Sequence, residues 1–429
     1  MASSQIADPG LAAAGAARVA WADGQMPVLR LIGERFAQER PLDGVRMAAC
    51  LHVTAETACL MRALVVGGAE VGLCSANPLS TQDDVAAALA EEEGIEVHAM
   101  HGEDLDTYVA HVGALVDAEP QITLDDGADL LTAIHARGNR AGDGAQGEGV
   151  AAGLIGGTEE TTTGLLRLRR LEAEGGLRCP VLALNEALAE RTLNDRYGTG
   201  QSALDGILRA ANLLLAGHTL VLLGYGFAGR GIAQRARGAG AAVVVCEVDP
   251  LRALEARMEG YEVMPALEAA ERGDLFVTVT GSRSVLRQEH FERMKDGAVL
   301  ANAGHFDVEI DLADLRELAT GGVEPVLPLV DQYDLGDRRL NLLASGRVVN
   351  LAAGEGHPAA VMDVSFALQA LAAEHLALNR DTLAAGVLDV PRAIDDEVAR
   401  LKLAALDVTI DSLTPDQRDY LQGWRPNGA

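Results

Sequence analysis

The polar stretch LALNEALAERTLNDRYGTGQSALDGI, residues 182–207, has the residue types that proton-transfer chemistry needs. It holds carboxylates, amides and a tyrosine in a helix-like pattern that runs into a glycine-containing sequence at 198–202. Glu190 and Asn194 lie four residues apart, so on a helix they would project from one face. The stretch contains no lysine, and the whole chain has only two, Lys295 and Lys402. Polar density of this kind is typical of an active site or a hinge.

A second chemical signal is the glycine-rich motif GYGFAG, which matches the dinucleotide-binding pattern G-x-G-x-x-G. It follows the apolar run LVLLG and opens the helix-like segment FAGRGIAQRARG. Gly224 permits a tight turn, Gly226 lets backbone approach a pyrophosphate, and Gly229 lets the helix pack closely on the strand. Phe227 and Ala228 begin the helix, whose free N–H groups suit phosphates. A tight turn without a ligand is the alternative interpretation.

The acidic residue that accompanies such a motif is Glu247, which ends the apolar run AAVVVC 23 residues beyond Gly224. Its carboxylate can accept hydrogen bonds from both hydroxyls of an adenosine ribose and would repel a 2′-phosphate. We therefore predict NAD rather than NADP as the cofactor. Arg252, five residues further on, is a candidate phosphate partner, although a solvated arginine explains it equally well.

The remaining candidates follow predicted strands. Short apolar runs at 45–53, 69–76, 95–100 and 121–130 alternate with amphipathic segments, which is typical of parallel sheets with helices on both faces. Ligands bind beyond the carboxyl ends of such strands. The polar residues at or just after these ends are His52, Thr54, Glu56, Asn77, Asp125 and Asp126.

This alternation predicts an α/β protein with two Rossmann-like, doubly wound domains. Residues 1–193, completed by 357–400, would form a substrate-binding domain, and residues 200–353 an inserted NAD-binding domain. Residues 401–429 would form a short C-terminal helical segment. The glycine-rich segment Ala136–Gly157 predicts a mobile surface loop.

Composition excludes several partners. The net charge of −28 argues against nucleic acid and anionic membranes. The five cysteines form no C-x-x-C pair, and His98 and His101 have no evident third ligand, so neither disulfides nor a metal site are predicted. The N terminus has no signal-peptide pattern, and no window approaches an uninterrupted membrane span. We expect a cytoplasmic protein.

Longer motifs resemble the S-adenosyl-L-homocysteine hydrolase family. In the second half they are NLLLAGHTLVLLGYGFAGRGIA, MKDGAVLANAGHFDVEID and VVNLAAGEGHPAAVMDVSFALQAL. In the first half they are CLHVTAETACL, STQDD, ITLDDGADL and TEETTTGLLRL. The resemblance spans residues 20–424, and the ending LTPDQRDYLQGWRPNGA is similar to the branch without a lysine- and tyrosine-bearing tail.

The resemblance implies an enzyme that binds NAD tightly and oxidises a nucleoside 3′-hydroxyl, which acidifies the 4′ C–H before elimination of the 5′ substituent, addition of water and reduction. By motif match, the residues expected to handle protons and substrate hydroxyls are His52, Asp126, Glu160 and His305. Those expected to contact substrate are Thr54, Glu56, His357 and Met362. Those expected at NAD, besides the glycine motif, Glu247 and Arg252, are Thr161, Thr162, Thr163, Asp195, Thr280, Ala303, Gly304 and Asn350. The resemblance also implies a homotetramer, or a homodimer.

The match fails at the polar stretch. The family pattern there has a lysine, four residues later an aspartate, and then an asparagine, whereas this chain has Glu190, Asn194 and Asp195. A lysine would suit the developing alkoxide. A glutamate can still be a general base if its pKa is suitable, but it would repel an oxyanion. The histidine of the S-T-Q-D-H motif is also replaced, by Asp84. A mere hinge support is the alternative interpretation of this stretch.

These changes indicate an NAD-dependent nucleoside enzyme redirected from hydrolysis to epimerisation, 5′ elimination or ring rearrangement, with Glu190 as base or proton shuttle. One alternative is genuine hydrolysis of S-adenosylhomocysteine to adenosine and homocysteine. Another is a non-catalytic NAD-binding regulator, against which the retained Asp126 and His305 speak. A 2-hydroxy-acid dehydrogenase is disfavoured, because the substrate motifs are those of nucleoside binding. The natural substrate and its base, adenine or hypoxanthine, stay open.

Overall fold

Two sheets, each with helices on both faces, form the core of the structure, which is a computed structural model describing residues 4–140, 153–305 and 307–422. The predicted α/β class with doubly wound, Rossmann-like sheets is therefore confirmed. The assignment of one unit to substrate and the other to NAD, with its boundaries, stays a prediction.

The first sheet has the strand order β1-β4-β3-β2-β5-β6-β7-β16, and all its neighbouring strands are parallel. Its strands are β1 (Gln5–Ile6), β2 (Arg46–Leu51), β3 (Glu70–Ser75), β4 (Ile95–Ala99), β5 (Ile122–Asp125), β6 (Gly156–Glu159), β7 (Pro180–Ala183) and β16 (Gly386–Asp389). The chain therefore leaves this sheet after β7 and returns to it near its C-terminal end.

The second sheet has the order β10-β9-β8-β11-β12-β15-β14-β13, and its last two pairings are antiparallel. Its strands are β8 (Thr219–Leu223), β9 (Ala242–Cys246), β10 (Glu262–Val263), β11 (Leu275–Thr278), β12 (Val299–Asn302), β13 (Gly322–Leu327), β14 (Val330–Asp334) and β15 (Arg339–Leu343). Strand order reverses between β2 and β5 in the first sheet and between β8 and β11 in the second. A crevice opens beyond the carboxyl ends of the strands at such a reversal, which is where open α/β sheets bind ligands.

The described residues form seventeen α-helices, of which the last two follow the final strand. They are α1 (Ala12–Asp23), α2 (Pro27–Glu39), α3 (Ala55–Val66), α4 (Asp83–Ala90), α5 (Leu105–Asp117), α6 (Asp129–Arg140), α7 (Thr162–Ala173), α8 (Gly200–Ala211), α9 (Phe227–Gly238), α10 (Pro250–Met258), α11 (Ala266–Ala269), α12 (Gln288–Phe291), α13 (Leu312–Leu318), α14 (Val349–Ala352), α15 (Ala359–Leu378), α16 (Arg392–Ala405) and α17 (Pro415–Gln422).

Two sequence-based boundaries were wrong. The strand predicted at 121–130 ends at Asp125, because Gly127 and Ala128 take positive φ angles of 118° and 65° and turn the chain into α6. The loop predicted at Ala136–Gly157 begins inside α6 and ends inside β6. Its central part, 141–152, lies outside the described residues.

The polar stretch is helical between the two sheets except at Ala187, where the backbone is extended with ψ of 142°. It comprises a short 3-10 turn at Leu184–Glu186, a π-helix at Glu190–Thr199 and then α8. The Asp395 carboxylate of α16 accepts hydrogen bonds from the Leu188 and Ala189 N–H groups, at 3.1 and 2.9 Å, and fixes the entry to the π-helix. π-Helical turns are rare and often occur at functional sites.

Helix α15 is the central helix of the first unit. By length and composition alone it could cross a membrane, but 72% of its apolar window is buried inside the structure. Its buried Asp363 accepts hydrogen bonds from the Val28 and Leu29 N–H groups at the start of α2 and pairs with the Lys402 ammonium at 2.7 Å. We conclude that α15 is a core helix whose polar residues have specific partners.

Candidate active site

One cavity of about 1460 Å³ lies between the carboxyl ends of the two sheets. It is larger than the roughly 300–1,000 Å³ of a pocket for one small ligand. Every residue to which the family resemblance or the glycine motif assigns a catalytic, substrate or cofactor role lines its wall. Two of the strand-end candidates do not: Asn77 caps the 3-10 turn at Pro78–Ser80, and Asp125 is fully buried and accepts a hydrogen bond from the Leu130 N–H. The roles of the lining residues stay predictions, but the fold brings them to one place.

His52 and Asp126 face each other where strand order reverses in the first sheet. His52 follows β2 and Asp126 follows β5, and the His52 Nε2 lies 3.2 Å from the Asp126 Oδ2. The other ring nitrogen, Nδ1, lies 2.5 Å from the Ser80 Oγ. Burial lowers the pKa of His52, although the Asp126 charge opposes this effect. A histidine held neutral between two partners can accept a proton from a substrate.

Glu160 follows β6 and reaches into the cavity beside this pair. Burial, and then the charges of Asp126 and Glu190, raise the pKa of Glu160 well above its ordinary value. Its Oε1 accepts a hydrogen bond of 2.9 Å from the Gln369 Nε2 on α15.

Glu190 lies at the start of the π-helix with its carboxyl group in the same cavity. The Ser365 hydroxyl donates to its Oε2 at 2.6 Å, and the Asn194 side-chain amide donates to the same serine oxygen. Burial, and then the Asp195 charge, raise the pKa of Glu190 to about 8. Both lysines lie elsewhere: Lys295 pairs with Asp274, and Lys402 pairs with a core aspartate. The place of a basic residue is therefore taken by a carboxyl group. Its pKa of about 8 lies close to neutral pH, so both its protonated and its ionised forms are accessible.

Asp195 and His357 lie further along the same wall. Burial raises the pKa of Asp195 to about 6, although Arg191 opposes it. Burial, and then the proximity of His52, lower the pKa of His357 to about 4. The chain passes from the first sheet to the second through the π-helix and returns between α14 and α15, where His357 lies. The His357 Nε2 is 3.2 Å from the Thr199 Oγ1 at the end of the π-helix, so this contact links the two connections.

The base-side candidates, Thr54 and Glu56, begin α3 directly after β2. Glu56 lies in the first turn of this helix, and burial raises its pKa. Met362, on the first turn of α15, has its sulfur 3.7 Å from the Asn194 side-chain nitrogen. His305, Ala303 and Gly304 close the opposite wall after β12.

The glycine motif forms the cradle that its spacing predicts. Gly224 has a φ of 107°, and a Cβ on Gly229 would lie 2.2 Å from the Gly224 carbonyl oxygen, so the turn and α9 touch backbone to backbone. In the described part of the chain no side chain caps the N terminus of α9, which leaves its first N–H groups for a pyrophosphate. The Arg252 guanidinium lies beside Gly226 at the cavity edge and is half exposed.

Glu247 ends β9 beside this cradle. Its Oε2 accepts a 2.7 Å hydrogen bond from the Tyr225 N–H, and its Oε1 accepts from the Val248 and Asp249 N–H groups. These backbone donors hold the carboxylate at the position where an adenosine ribose would lie.

The threonines and the asparagine that the resemblance places at NAD line the same cavity. The Thr161 hydroxyl caps α7 and donates to the buried Glu159, and the Thr162 hydroxyl donates to Asn185, whereas Thr163 lines the cavity. The Asn350 Nδ2 donates to Ser202, while its buried Oδ1 has no partner within the described residues. A buried acceptor at a cavity wall fits a ligand with an amide donor, such as nicotinamide.

Several contacts at the site had no separate signal in the sequence analysis. The Glu309 carboxylate accepts from the Thr280 N–H and hydroxyl and from the Gly281 N–H, and so shapes the loop after β11. Ser365 and Gln369 on α15 hold Glu190 and Glu160. The available signal was two polar residues, four apart, in an otherwise apolar run.

Asp84, at the position where the family motif has a histidine, faces away from this wall. Its Oδ2 pairs with the Arg18 Nε at 2.9 Å, and the Arg18 Nη1 lies 3.6 Å from the Glu355 Oε2. Glu355 lines the cavity mouth and also lies 3.6 Å from Arg209 on α8. The replacement is thus part of a chain of charged side chains that reaches the cavity wall at Glu355.

The fold and this site define a two-unit α/β protein in which a glycine-rich turn and a set of titratable side chains line one cavity. Two family models match the chain: S-adenosyl-L-homocysteine hydrolase over residues 3–148, and the NAD-binding domain of S-adenosyl-L-homocysteine hydrolase over residues 195–356. The chain belongs to the S-adenosyl-L-homocysteine hydrolase family, and its cofactor is NAD.

Similar proteins match nearly the whole chain. It is 54% identical over 420 residues to the adenosylhomocysteinase of Aquifex aeolicus, covering 98% of each chain. It is 51% identical over 421 residues to the adenosylhomocysteinase of Thermosynechococcus vestitus, covering 98% of this chain and 96% of that one. It is 50% identical over 420 residues to the S-inosyl-L-homocysteine hydrolase of Methanopyrus kandleri, covering 98% and 97%. These relatives favour the hydrolytic alternative over the redirected chemistry that the altered polar stretch suggested.

Proposed function

We propose that this protein is an NAD-dependent hydrolase of a purine-nucleoside thioether, of the S-adenosyl-L-homocysteine type, which works through transient oxidation of the ribose 3′-hydroxyl. The observation that carries the proposal is the single cavity in which the Gly224–Gly229 cradle faces His52, Asp126, Glu160 and Glu190. A protein that only bound NAD would have no need of these proton-transfer groups. Hydrolases of this type are also what the relatives are named.

NAD would supply the hydride acceptor. The glycine cradle and the N terminus of α9 would hold its pyrophosphate, Glu247 its adenosine ribose, and the Asn350 Oδ1 its carboxamide. Glu190, when ionised, would remove the proton of the 3′-hydroxyl as hydride leaves C3′.

The neutral His52, with its Nδ1–H donating to the Ser80 Oγ, would take the proton from C4′ on its Nε2, and the Asp126 carboxylate 3.2 Å away would stabilise the resulting imidazolium. Loss of the 5′ thiolate would follow, and Glu160, with its raised pKa, would give a proton to that leaving group or take one from the added water. The same groups run in reverse when the ketone is reduced.

Glu56 is the proposed reader of the base. An ionised carboxylate accepts a hydrogen bond from the 6-amino group of adenine, whereas the 6-oxo group of hypoxanthine is an acceptor and would be repelled. Relatives named for adenosyl and for inosyl substrates both match this chain, so adenosine and inosine are the pair to compare.

We expect the NAD-loaded protein to incorporate deuterium at C4′ of adenosine in heavy water and to release adenosine and homocysteine from S-adenosylhomocysteine. Absorbance of reduced NAD on mixing with adenosine should report the oxidation step. A preparation that never reduces its NAD with any purine nucleoside would be a regulator, and the enzymatic proposal would then fail.

The redirected reaction is the second candidate, and the Glu190 side chain favours it. A carboxyl group with a pKa of about 8 can be a base for hydroxyl or C–H protons, but it gives no positive charge to a developing alkoxide. The product spectrum in the same experiment separates the two candidates. Homocysteine release supports hydrolysis, whereas an epimer, a 5′-alkene or a rearranged ring without homocysteine supports redirection.

We also propose a cytoplasmic homotetramer, or a homodimer. The C-terminal segment exposes apolar side chains that a second copy could cover, among them Ile410, Leu413, Tyr420 and Leu421, which are 48–67% exposed. Light scattering that gave the mass of one chain at micromolar concentration would refute the assembly.

A further inference from the structure

Helix α15 presents two buried polar side chains, Ser365 and Gln369, to two carboxyl groups of the cavity wall, Glu190 and Glu160. The Ser365 hydroxyl donates to the Glu190 Oε2 at 2.6 Å, and the Gln369 Nε2 donates to the Glu160 Oε1 at 2.9 Å. Ser365 and Gln369 are each at most 2% exposed. They are four residues apart and therefore lie on one face of the helix.

We propose that Ser365 and Gln369 are positioning residues that allow Glu190 and Glu160 to gain and lose protons inside the protein. The inference rests on the proposed function, because it assigns a role to residues that act through its proton-transfer groups. Its basis is chemical: a hydroxyl and a primary amide are among the few side chains that can both donate and accept a hydrogen bond. A lysine or arginine partner would stabilise only the carboxylate, and an alanine would stabilise neither form.

Gln369 shows the property most directly. Its Nε2 donates to Glu160, while its Oε1 is buried and has no partner within the described residues. A half-turn of the amide exchanges the two atoms, so the same side chain accepts a hydrogen bond from Glu160 once this carboxyl group is protonated. The carboxyl group can then change its protonation state and keep its hydrogen-bond partner. This matters because a buried polar group that loses its partner destabilises the protein.

Ser365 does the same for Glu190 with a fixed oxygen. The Asn194 Nδ2 donates to the serine oxygen and holds it in place, so the hydroxyl proton is free to point at the Glu190 carboxylate. When Glu190 is protonated, the serine oxygen can accept a hydrogen bond from the Glu190 O–H instead. The asparagine thus donates to the serine and the serine donates to the glutamate, and this chain of hydrogen bonds also orients Glu190 toward the cavity.

The charged groups that raise the carboxyl pKa of the pair are carboxylates, although the Arg191 guanidinium lines the same cavity, so these neutral donors matter. The charged groups that influence Glu190 are Asp195 on its own helix, Asp126 after β5, Asp395 on α16 and Glu160 after β6. For Glu160 they are Asp126, Glu159 and Glu190. All of these raise the carboxyl pKa, whereas the Ser365 hydrogen bond lowers the pKa of Glu190.

The test is a titration that does not depend on turnover. Protein labelled with ¹³C in the glutamate carboxyl carbons is followed by NMR from pH 5 to pH 10, with Glu190→Gln and Glu160→Gln to assign the two signals. Ser365→Ala should move the midpoint of Glu190 up by about one unit, a tenfold change, because a charge-assisted donor is lost. Ser365→Thr, which keeps the hydroxyl, should restore the midpoint.

A matched control is Ser345→Ala, which removes a serine donor to the exposed Asp331 and should leave the Glu190 titration unchanged. Equal midpoints in the native protein and in Ser365→Ala, with bound NAD and melting temperature intact, would overturn the assignment of Ser365. If Ser365→Ala fails to fold, Ser365→Cys, which keeps a weak donor, takes its place. For that variant a shift toward higher pH supports the proposal, and no shift overturns it.

The role of Gln369 is tested by steady-state kinetics. Gln369→Met keeps the length of the side chain but removes both the donor and the acceptor, and should lower kcat about tenfold while KM for the nucleoside stays within about twofold. A rise in KM with unchanged kcat would mean a binding role and would overturn the proposal for Gln369. If the native protein oxidises no nucleoside at all, the proposed function fails, while the titration still decides the claim for Ser365.

Discussion

Glutamine in place of Glu190 is expected to slow the reduction of bound NAD by adenosine by about a hundredfold or more. Glutamine keeps the size of the side chain and can still contact Ser365, but it cannot accept the proton of the 3′-hydroxyl. Neither lysine of the chain is available to substitute, since both pair with aspartates away from the cavity. The rate is measured in a single turnover by the absorbance of reduced NAD.

The rate of NAD reduction should depend on pH with a midpoint at the pKa of Glu190. A base must be ionised, so the native rate should rise as pH passes through about 8, the pKa to which burial and Asp195 raise Glu190. The variant should lose this rise. Glu186→Gln is the matched control, because Glu186 lies one turn earlier, pairs with Arg169 at 2.6 Å and does not line the cavity. A Glu190→Gln protein with the native rate and pH profile would exclude Glu190 as the base.

The same shift makes a stability difference with a defined sign. Because the folded pKa of Glu190 is above its unfolded value, the stability that this group contributes is fully present below about pH 4.5 and is lost as pH rises through about 8. The melting temperature of the native protein should therefore fall between about pH 4.5 and pH 8 relative to that of Glu190→Gln, and the difference should stay constant at higher pH. The buried carboxyl group that the proposed reaction needs as a base therefore lowers the stability of the folded protein when it is ionised.

The cofactor cradle and the strand-end residues could be predicted from sequence because their geometry is local. Gly224, Gly226 and Gly229 lie within six residues, and the parallel sheet itself brings His52 and Asp126 to one edge. Alternation of apolar runs was sufficient to place both sheets. Knowing that β2 and β5 are neighbours then follows from the common order of doubly wound sheets.

The partners of the polar groups could not be predicted in this way. Ser365 lies 175 residues from Glu190, and Gln369 lies 209 residues from Glu160, so their hydrogen bonds depend on how α15 packs against the first sheet and the π-helix. Local periodicity describes which face of α15 is apolar, not which carboxyl group it meets. The pairing of Asp84 with Arg18, 66 residues away, has the same origin. Those contacts decide the charge state of the site, which is why the sequence alone left its chemistry open.

Alanine in place of Gly229 is expected to abolish the tight binding of NAD. Its Cβ would lie 2.2 Å from the Gly224 carbonyl oxygen, which no real Cβ contact tolerates, so the turn must move away from α9. That movement would displace the N–H groups that hold the pyrophosphate. We expect the NAD content of the purified protein, extracted and quantified by chromatography, to fall at least about tenfold, together with a loss of roughly 1–3 kcal/mol in the free energy of unfolding from overpacking.

Gly238→Ala is the control for this change, because Gly238 ends the same helix and a Cβ there would meet no atom within 4 Å. In α9 the added methyl group should stabilise the protein by about 0.5–1 kcal/mol and leave the NAD content unchanged. The two variants add the same atoms to the same helix, so a difference between them measures the close contact with the turn rather than helix propensity. If Gly229→Ala retained its full complement of NAD, the backbone contact between Gly224 and Gly229 would not be what holds the dinucleotide.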